Sequence, residues 1–490
     1  MQIGFDSDKY LSLQSQHIKD RIKKFGKLYL EFGGKLFDDY HASRVLPGFA
    51  PDNKLKMLEQ LKDQAEVLIV ISADAIEENK SRSDLGITYD EDALRLKTAM
   101  EVRGFYVSSI VITKYTGQPA AVKFKQRLEA LGIPSYFHYV IDGYPANIPL
   151  IISDQGYGKN DYIKTTRDLV VVTAPGPGSG KMATCLSQLY HENKRGVKAG
   201  YAKFETFPVW NLPLKHPVNL AYEAATADLS DVNMIDPFHL ESYEETTVNY
   251  NRDIEIFPVL RAIFEGILGE CPYKSPTDMG VNMVGFAISD DGICQEAAKQ
   301  EIIRRYFHTA CAVRKGMALK DELYKEELLL KQASLTPMMR PVVQPALRRE
   351  EMTGHPAMAI SLPDGQIVTG KTSELLGASA AALMNALKVL AGIPHDVKLV
   401  SENAIEPIQD LKTRYLGSSN PRLHTDEILI SLSASASMNP LAKQALAQLP
   451  KLKGTEAHSS VILSSVDENI FRRLGISLTC SPIYEVKNHC

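Results

Sequence analysis

The chain has little of what marks an exported, membrane-bound or nucleic-acid-binding protein. Only six of its 490 residues are cysteine. Cys185, Cys271, Cys294, Cys311, Cys480 and Cys490 are scattered with no C-x-x-C pair, which argues against a disulfide framework and suits a reducing compartment. No long apolar run is free of polar interruption. The most apolar stretch, 377–393, is rich in Ala and contains Asn385 and Lys388, so it reads as a buried helix and not a membrane span. Charge of one sign is also missing, since 55 Lys and Arg against 59 Asp and Glu leave a net charge of −4. With a pI near 6.3 and no polybasic run, no nucleic-acid partner is expected. Residues 1–9 are acidic where a secretory signal would be positive. The expectation is a cytoplasmic protein with no membrane partner.

What is present is ordinary for a globular protein: 44% hydrophobic and 23% charged residues. The length predicts about three domains. β-forming runs at 28–32, 67–72, 107–113, 136–141, 169–173 and 201–204 alternate with helical patterns, the signature of a parallel sheet with covering helices. Ligands sit at the carboxyl ends of such strands. Here those ends carry Glu31 with Gly33, Gly34 and Lys35, then Ser72 with Asp74, Thr113 with Lys114, Asp142 with Gly143, and Glu205 with Thr206. Residues 231–331 read as mainly helical, 332–345 as a linker with three prolines, and 355–490 as mixed again. The fold class predicted is α/β and multidomain. An N-terminal parallel-sheet domain spans 1–230, a helical part with its linker 231–345, and a smaller C-terminal α/β domain 346–490.

The richest local signal is the run Asp168-Leu-Val-Val-Val-Thr173 followed by Ala174-Pro-Gly-Pro-Gly-Ser-Gly-Lys181. A strand breaking into a glycine-rich loop, then a helix with Met182, Cys185, Leu186, Leu189 and Tyr190 on one face, resembles a phosphate cradle: successive N–H groups form a nest and the helix adds its positive end. The strict phosphate-loop pattern wants glycine at Pro175 and Ser or Thr at Met182. Pro177 has no N–H, leaving Gly178, Ser179, Gly180 and Lys181 as contiguous donors. A tight strand-to-helix turn is the competing interpretation. Gly176, Gly178, Ser179, Gly180 and Thr184 are the candidate ligand-binding residues, and Lys181 the group that neutralises phosphate charge.

A second string, Gly365-Gln-Ile-Val-Thr-Gly-Lys-Thr372, fits the phosphate-loop expression letter for letter. Its context argues for coincidence, because Pro363-Asp-Gly365 between two β-forming runs predicts a hairpin whose spacer residues are strand. Gly370 to Ser373 is then expected to open a helix, where Lys371 and Thr372 either hold an anion or cap the helix. His191-Glu192 begins a zinc-protease signature that fails at Arg195, and His308 with Cys311 has only one edge of a metal site; no zinc is expected. In 216–239, Asn219, Glu223, Asp228, Asp231, Asn233 and Asp236 offer carboxylates and amides, and an acid among Asp228, Asp231 and Asp236 is expected to recruit Mg²⁺ or orient a nucleophile, with Asp228 and Asp236 the catalytic candidates.

Several strings together, Tyr29-Leu-Glu-Phe-Gly-Gly-Lys-Leu-Phe-Asp-Asp-Tyr40, the glycine loop with Thr184, the 216–239 stretch and Thr369-Gly-Lys-Thr-Ser-Glu-Leu-Leu-Gly-Ala-Ser379, resemble the uncharacterised bacterial family known as domain of unknown function 1846. The resemblance spans essentially the whole chain. It implies an N-terminal α/β region, a helical part and a C-terminal α/β subdomain, with no established activity. Some members carry the label ATP-dependent zinc protease, whose metal half has no H-E-x-x-H here to rest on. The function expected is a nucleotide- or phosphometabolite-binding enzyme, using ATP or another nucleotide with Mg²⁺ for phosphoryl transfer or ligation. A non-catalytic phosphometabolite-binding or scaffolding homo-oligomer is the alternative.

Overall fold

The computed structural model describes residues 3–34, 36–37, 39–82, 86–229 and 231–485. Lys35 at the end of the first β run and the last cysteine, Cys490, lie outside the described residues. The chain forms two compact units, one from residues 2–223 and 230–298 and the other from 224–229 and 299–490.

The first unit is built on seven strands: β1 (Leu28–Phe32), β2 (Ala65–Ser72), β3 (Tyr106–Tyr115), β4 (Ser135–Tyr139), β5 (Leu169–Thr173), β6 (Gly200–Phe204) and β7 (Gly280–Val281). Their order is β7-β6-β1-β5-β2-β3-β4, and every pairing is parallel. Every residue of β1, β2 and β5 is buried, as expected when helices cover both faces of a parallel sheet. All six runs anticipated from sequence are strands of this sheet. The two-residue β7 is too short to carry a pattern.

Four helices bear on the crevice and on the packing of the second sheet: α1 (Ser7–Phe25), α2 (Lys181–Lys194), α3 (Asn251–Leu268) and, in the second unit, α4 (Ala378–Ala391). From β1 the chain runs to β2, two places to one side; from β5 it runs to β6, two places to the other. Neighbouring connections therefore diverge between β1 and β5, and this switch point opens a crevice at the carboxyl ends. The sequence suggested one apolar face for α2, yet Thr184 through Glu192 are all buried. The polar side is satisfied by the segment before β5: Asn160 Nδ2 donates to Ser187 Oγ at 3.0 Å, Gln188 bonds both the N–H and the carbonyl of Ile163 at 3.0 and 2.9 Å, and His191 Nε2 meets the Asn160 carbonyl at 2.9 Å.

The second unit has a four-stranded sheet of β8 (Ala357–Ser361), β9 (Ile367–Lys371), β10 (Glu456–Ser459) and β11 (Ser477–Cys480), ordered β9-β8-β10-β11. The expected hairpin is present, with β8 and β9 antiparallel. The helix expected from Gly370 is not. Gly370 and Lys371 pair with Met358 and Ala357, and the Thr372 N–H continues the ladder to the Pro356 carbonyl at 2.8 Å, so strand pairing holds them until α4 opens at Ala378. A side chain at Gly370 would overlap the backbone of Ala382 on α4. This glycine serves helix-on-sheet packing. Upstream, 332–345 contains a 3₁₀ turn at Pro337–Met339 and the start of the helix Val343–Thr353, whose first turn tolerates Pro345.

Glu326, on the helix Lys320–Gln332, is fully buried. Burial pushes its carboxyl up to about 8, with Arg305 and Arg304 pulling down and Glu301 pushing up. The folded chain therefore holds this proton more tightly than the unfolded one. Stability drains as pH rises from the ordinary carboxyl range to about 8.

Gly370→Ala should lose about 3 kcal/mol in urea unfolding through overpacking, while Lys371→Ala stays within about 0.5 kcal/mol. Glu326→Gln should match the parent protein's melting temperature near pH 5 and exceed it at a pH above the raised value of about 8.

Candidate functional site

The glycine loop sits at the carboxyl end of β5, beside the switch point. Gly178 and Gly180 adopt φ of +70° and +86°, which a side chain would strain. Gly176 lets the Tyr89 ring lie against the backbone where a β carbon would be. Thr113, at the end of β3, donates its hydroxyl to the Ser179 carbonyl at 2.6 Å and locks the loop to the sheet. Ser179 Oγ donates to the Gly176 carbonyl at 3.1 Å, and Thr184 Oγ1 to the Gly180 carbonyl at 3.0 Å. Both hydroxyls are spent on the loop itself. By contrast, the N–H groups of Gly178, Ser179, Gly180, Lys181, Met182 and Ala183 reach no described acceptor. Lys181 is half-buried and makes no ion pair with a described residue.

Next to this loop, β1 and β6 carry a polar network through the sheet end. Glu31 is the register partner of Val172 on one side and Lys203 on the other. Its Oε2 accepts from the Tyr201 hydroxyl at 2.7 Å. Lys203 Nζ contacts Glu205 Oε1 at 2.9 Å, donates to the Tyr250 hydroxyl at 2.9 Å and pairs with Asp253 of α3. Tyr250 in turn donates to Glu205 Oε1 at 2.8 Å. Burial alone would lower the Lys203 ammonium, but Asp253 and Glu205 outweigh it and hold the charge on. Burial raises the Glu205 carboxyl against the pull of Lys203, and Asp253 adds to the rise. Glu205 thus holds its proton to higher pH than an ordinary glutamate. Cys185 on α2 is pushed up by burial and then by Glu31, with Lys181 opposing, which places the network within electrostatic reach of the loop lysine.

Lys203, Tyr250 and Asp253 carried no sequence signal. A lysine inside a β run and an acid 50 residues later are joined only by the register of β6 and the position of α3. Glu31 and Glu205 were visible as strand ends.

The other sequence candidates are engaged elsewhere. Asp236 is fully buried, and its Oδ1 caps the helix Pro237–Tyr243 through the N–H groups of Phe238 and His239 at 3.0 Å each. Its Oδ2 takes the Thr277 hydroxyl at 2.7 Å and the Thr277 N–H at 3.2 Å. Both oxygens are occupied, one as a helix cap and one by Thr277. Asp231 pairs with Arg252 at 2.6 Å. Asn219 holds the Val209 N–H at 2.7 Å. Asp228 is exposed and belongs to the second unit, as do Lys371 and Thr372, which lie at a strand end and not at a helix start. Glu192 binds Lys27 and the Tyr29 hydroxyl, each at 2.7 Å. His308 is lowered to about 4, chiefly by burial, and Cys311 Sγ donates to the Cys480 carbonyl at 3.2 Å. Among the described residues no group of three or more His, Cys, Asp or Glu is placed to hold a metal ion. No described helix is long and apolar enough to cross a membrane.

Fold and site together define a multidomain α/β protein with a glycine-loop crevice at the switch point of a parallel sheet. The family models for the N-terminal and C-terminal parts of domain of unknown function DUF1846 match residues 3–334 and 338–489, and the chain belongs to that family. It is 60% identical over 483 residues, 98% of each chain, to a UPF0371 protein of Streptococcus thermophilus. A UPF0371 protein of Streptococcus pneumoniae is 59% identical over the same share. These names carry no activity.

Removing the Lys203 charge leaves the buried Glu205 and the partly buried Asp253 without their cation. Lys203→Met should cost about 3–5 kcal/mol near neutral pH. Without the lysine, nothing offsets the burial that raises the Glu205 carboxyl, so the deficit should shrink in mild acid and widen in mild alkali in chemical unfolding.

Proposed function

We propose that the protein is an enzyme acting on a phosphorylated small molecule, whose phosphate sits on the glycine loop. The observation that carries this reading is the run of six N–H groups with no described acceptor, at the start of a 14-residue helix with Lys181 beside it. Oriented backbone donors of this kind favour an anion. The adjacent Glu31, Tyr201, Lys203 and Glu205 supply proton donors and acceptors to a bound substrate, with Glu205 raised toward the range useful for acid–base work. The fit to a nucleotide with Mg²⁺ is partial. The anion end is provided for, but Met182 stands where a hydroxyl would bind the metal, and the Ser179 and Thr184 hydroxyls serve loop carbonyls. Phosphoryl transfer or ATP-dependent ligation is the proposed reaction class, with a metal carried in on the nucleotide.

Those two tied hydroxyls favour a second reading, a non-catalytic phosphometabolite-binding or scaffolding homo-oligomer. Mg²⁺ dependence separates the two. In a thermal-shift series of nucleotides and sugar phosphates, ligand at about a hundred times its Kd should add roughly 2.7 kcal/mol. A Mg²⁺-dependent shift that Lys181→Ala abolishes supports the enzyme, and a metal-independent shift lost in the same variant supports the binding protein. No shift with any phosphate compound would leave the loop as a turn.

A further inference from the structure

Beyond the glycine loop, at the β6 and β7 side of the same sheet, lie unused hydrogen-bonding groups of a particular kind. Trp210, the single tryptophan of the chain, and Glu205 converge on Gly280. A β carbon there would lie 2.5 Å from Trp210 Cζ2, 2.9 Å from its Cη2 and 3.2 Å from Glu205 Oε2. While Glu205 Oε1 is occupied by Tyr250 and Lys203, Oε2 makes no hydrogen bond with a described residue. Trp210 Nε1, on the ring edge that faces this corner, is buried without a partner. Asn233 stands directly opposite Tyr250 in the antiparallel pair formed by Asn233–Ile235 and Val248–Tyr250. Its Nδ2 donates to the Asn219 carbonyl at 2.9 Å, and its Oδ1 is buried without a partner. Two faces of stacked aromatic rings lie alongside, Phe207 on Tyr222 at 5.5 Å and Tyr222 on Tyr250 at 6.2 Å.

We propose that this corner receives the hydroxyl-bearing end of the ligand, which makes the ligand a phosphorylated sugar or polyol. The inference rests on the phosphate reading of the glycine loop. One unused N–H donor, one unused amide oxygen and one carboxyl oxygen require a partner that both donates and accepts, and a hydroxyl does both. A carboxylate would confront Glu205 and Asp253. An ammonium would confront Lys203 and the indole N–H. A buried polar group left without a partner is costly, and a ligand hydroxyl would remove that cost here.

The test is calorimetric titration of the full chain with inorganic phosphate, hexose and hexitol 6-phosphates, the free hexose and hexitol, and ATP. Sugar or polyol phosphates should bind at least about tenfold tighter than inorganic phosphate, or about 1.4 kcal/mol. Trp210→Phe, which keeps a ring and removes the N–H, should erase that increment and leave inorganic phosphate binding unchanged. Lys181→Ala should weaken phosphate and sugar phosphate alike. If sugar phosphates bind no better than inorganic phosphate on the unmodified protein, or ATP binds better than every sugar phosphate, the sugar assignment falls while the loop reading stands. Binding of the free polyol, lost in Trp210→Phe and not improved by a phosphate, would overturn the loop reading and keep the hydroxyl subsite. The comparison of ligands on the unmodified protein needs no variant to fold.

Discussion

Lys203 carries one positive charge into a corner where Glu205, Asp253 and the Tyr250 hydroxyl all depend on it. The lysine belongs to β6, Glu205 to the turn after it, Asp253 to α3 and Tyr250 to the short strand pair before that helix. One ammonium thus ties the sheet edge to the segment that returns 50 residues later. A buried charge of this sort is tolerated only when its partners are fully formed, so it specifies how α3 and the strand pair meet the sheet. It also fixes the wall of the crevice, because the carboxyl that it holds is the one nearest Trp210 and Gly280.

The parallel sheet sets the rest. Strands buried on both faces can be almost wholly apolar along their length, and polar groups then collect at their ends. At the carboxyl end of β5 the chain must turn back over the sheet into α2, and the turn is held from three sides, by the Thr113 hydroxyl on Ser179, by Tyr89 against Gly176 and by Thr184 on Gly180. A loop fixed this way holds its N–H groups in one orientation.

The second unit shows how far a short string can mislead. Gly365 to Thr372 reproduces a phosphate-loop expression, yet its spacer is a β-strand and its second glycine exists so that α4 can lie on the sheet. The N-terminal loop breaks the same expression at Pro175 and Met182 but has the surroundings of a strand, a nest and a helix. Context at the scale of an element outweighs agreement letter by letter.

The sequence by itself determined the α/β class, the six long strands of the first sheet, the hairpin of the second, and the glycine loop with Lys181 at a strand end. These are local: β-branched runs bury on two faces, Pro-Asp-Gly turns a hairpin, and a cluster of glycines and prolines ends a strand. Only the tertiary structure decided which polar residues share the crevice. Asp236, an isolated acid in sequence, is consumed as a helix cap because Pro237 starts a helix beside it and Thr277 folds back onto it. Lys203, hidden in a β run, becomes central because parallel register sets it beside Glu31 and α3 brings Asp253 to it. Periodicity and turn chemistry act over a few residues, whereas desolvation and charge pairing act across whatever the fold brings together, and that distance is written only in three dimensions.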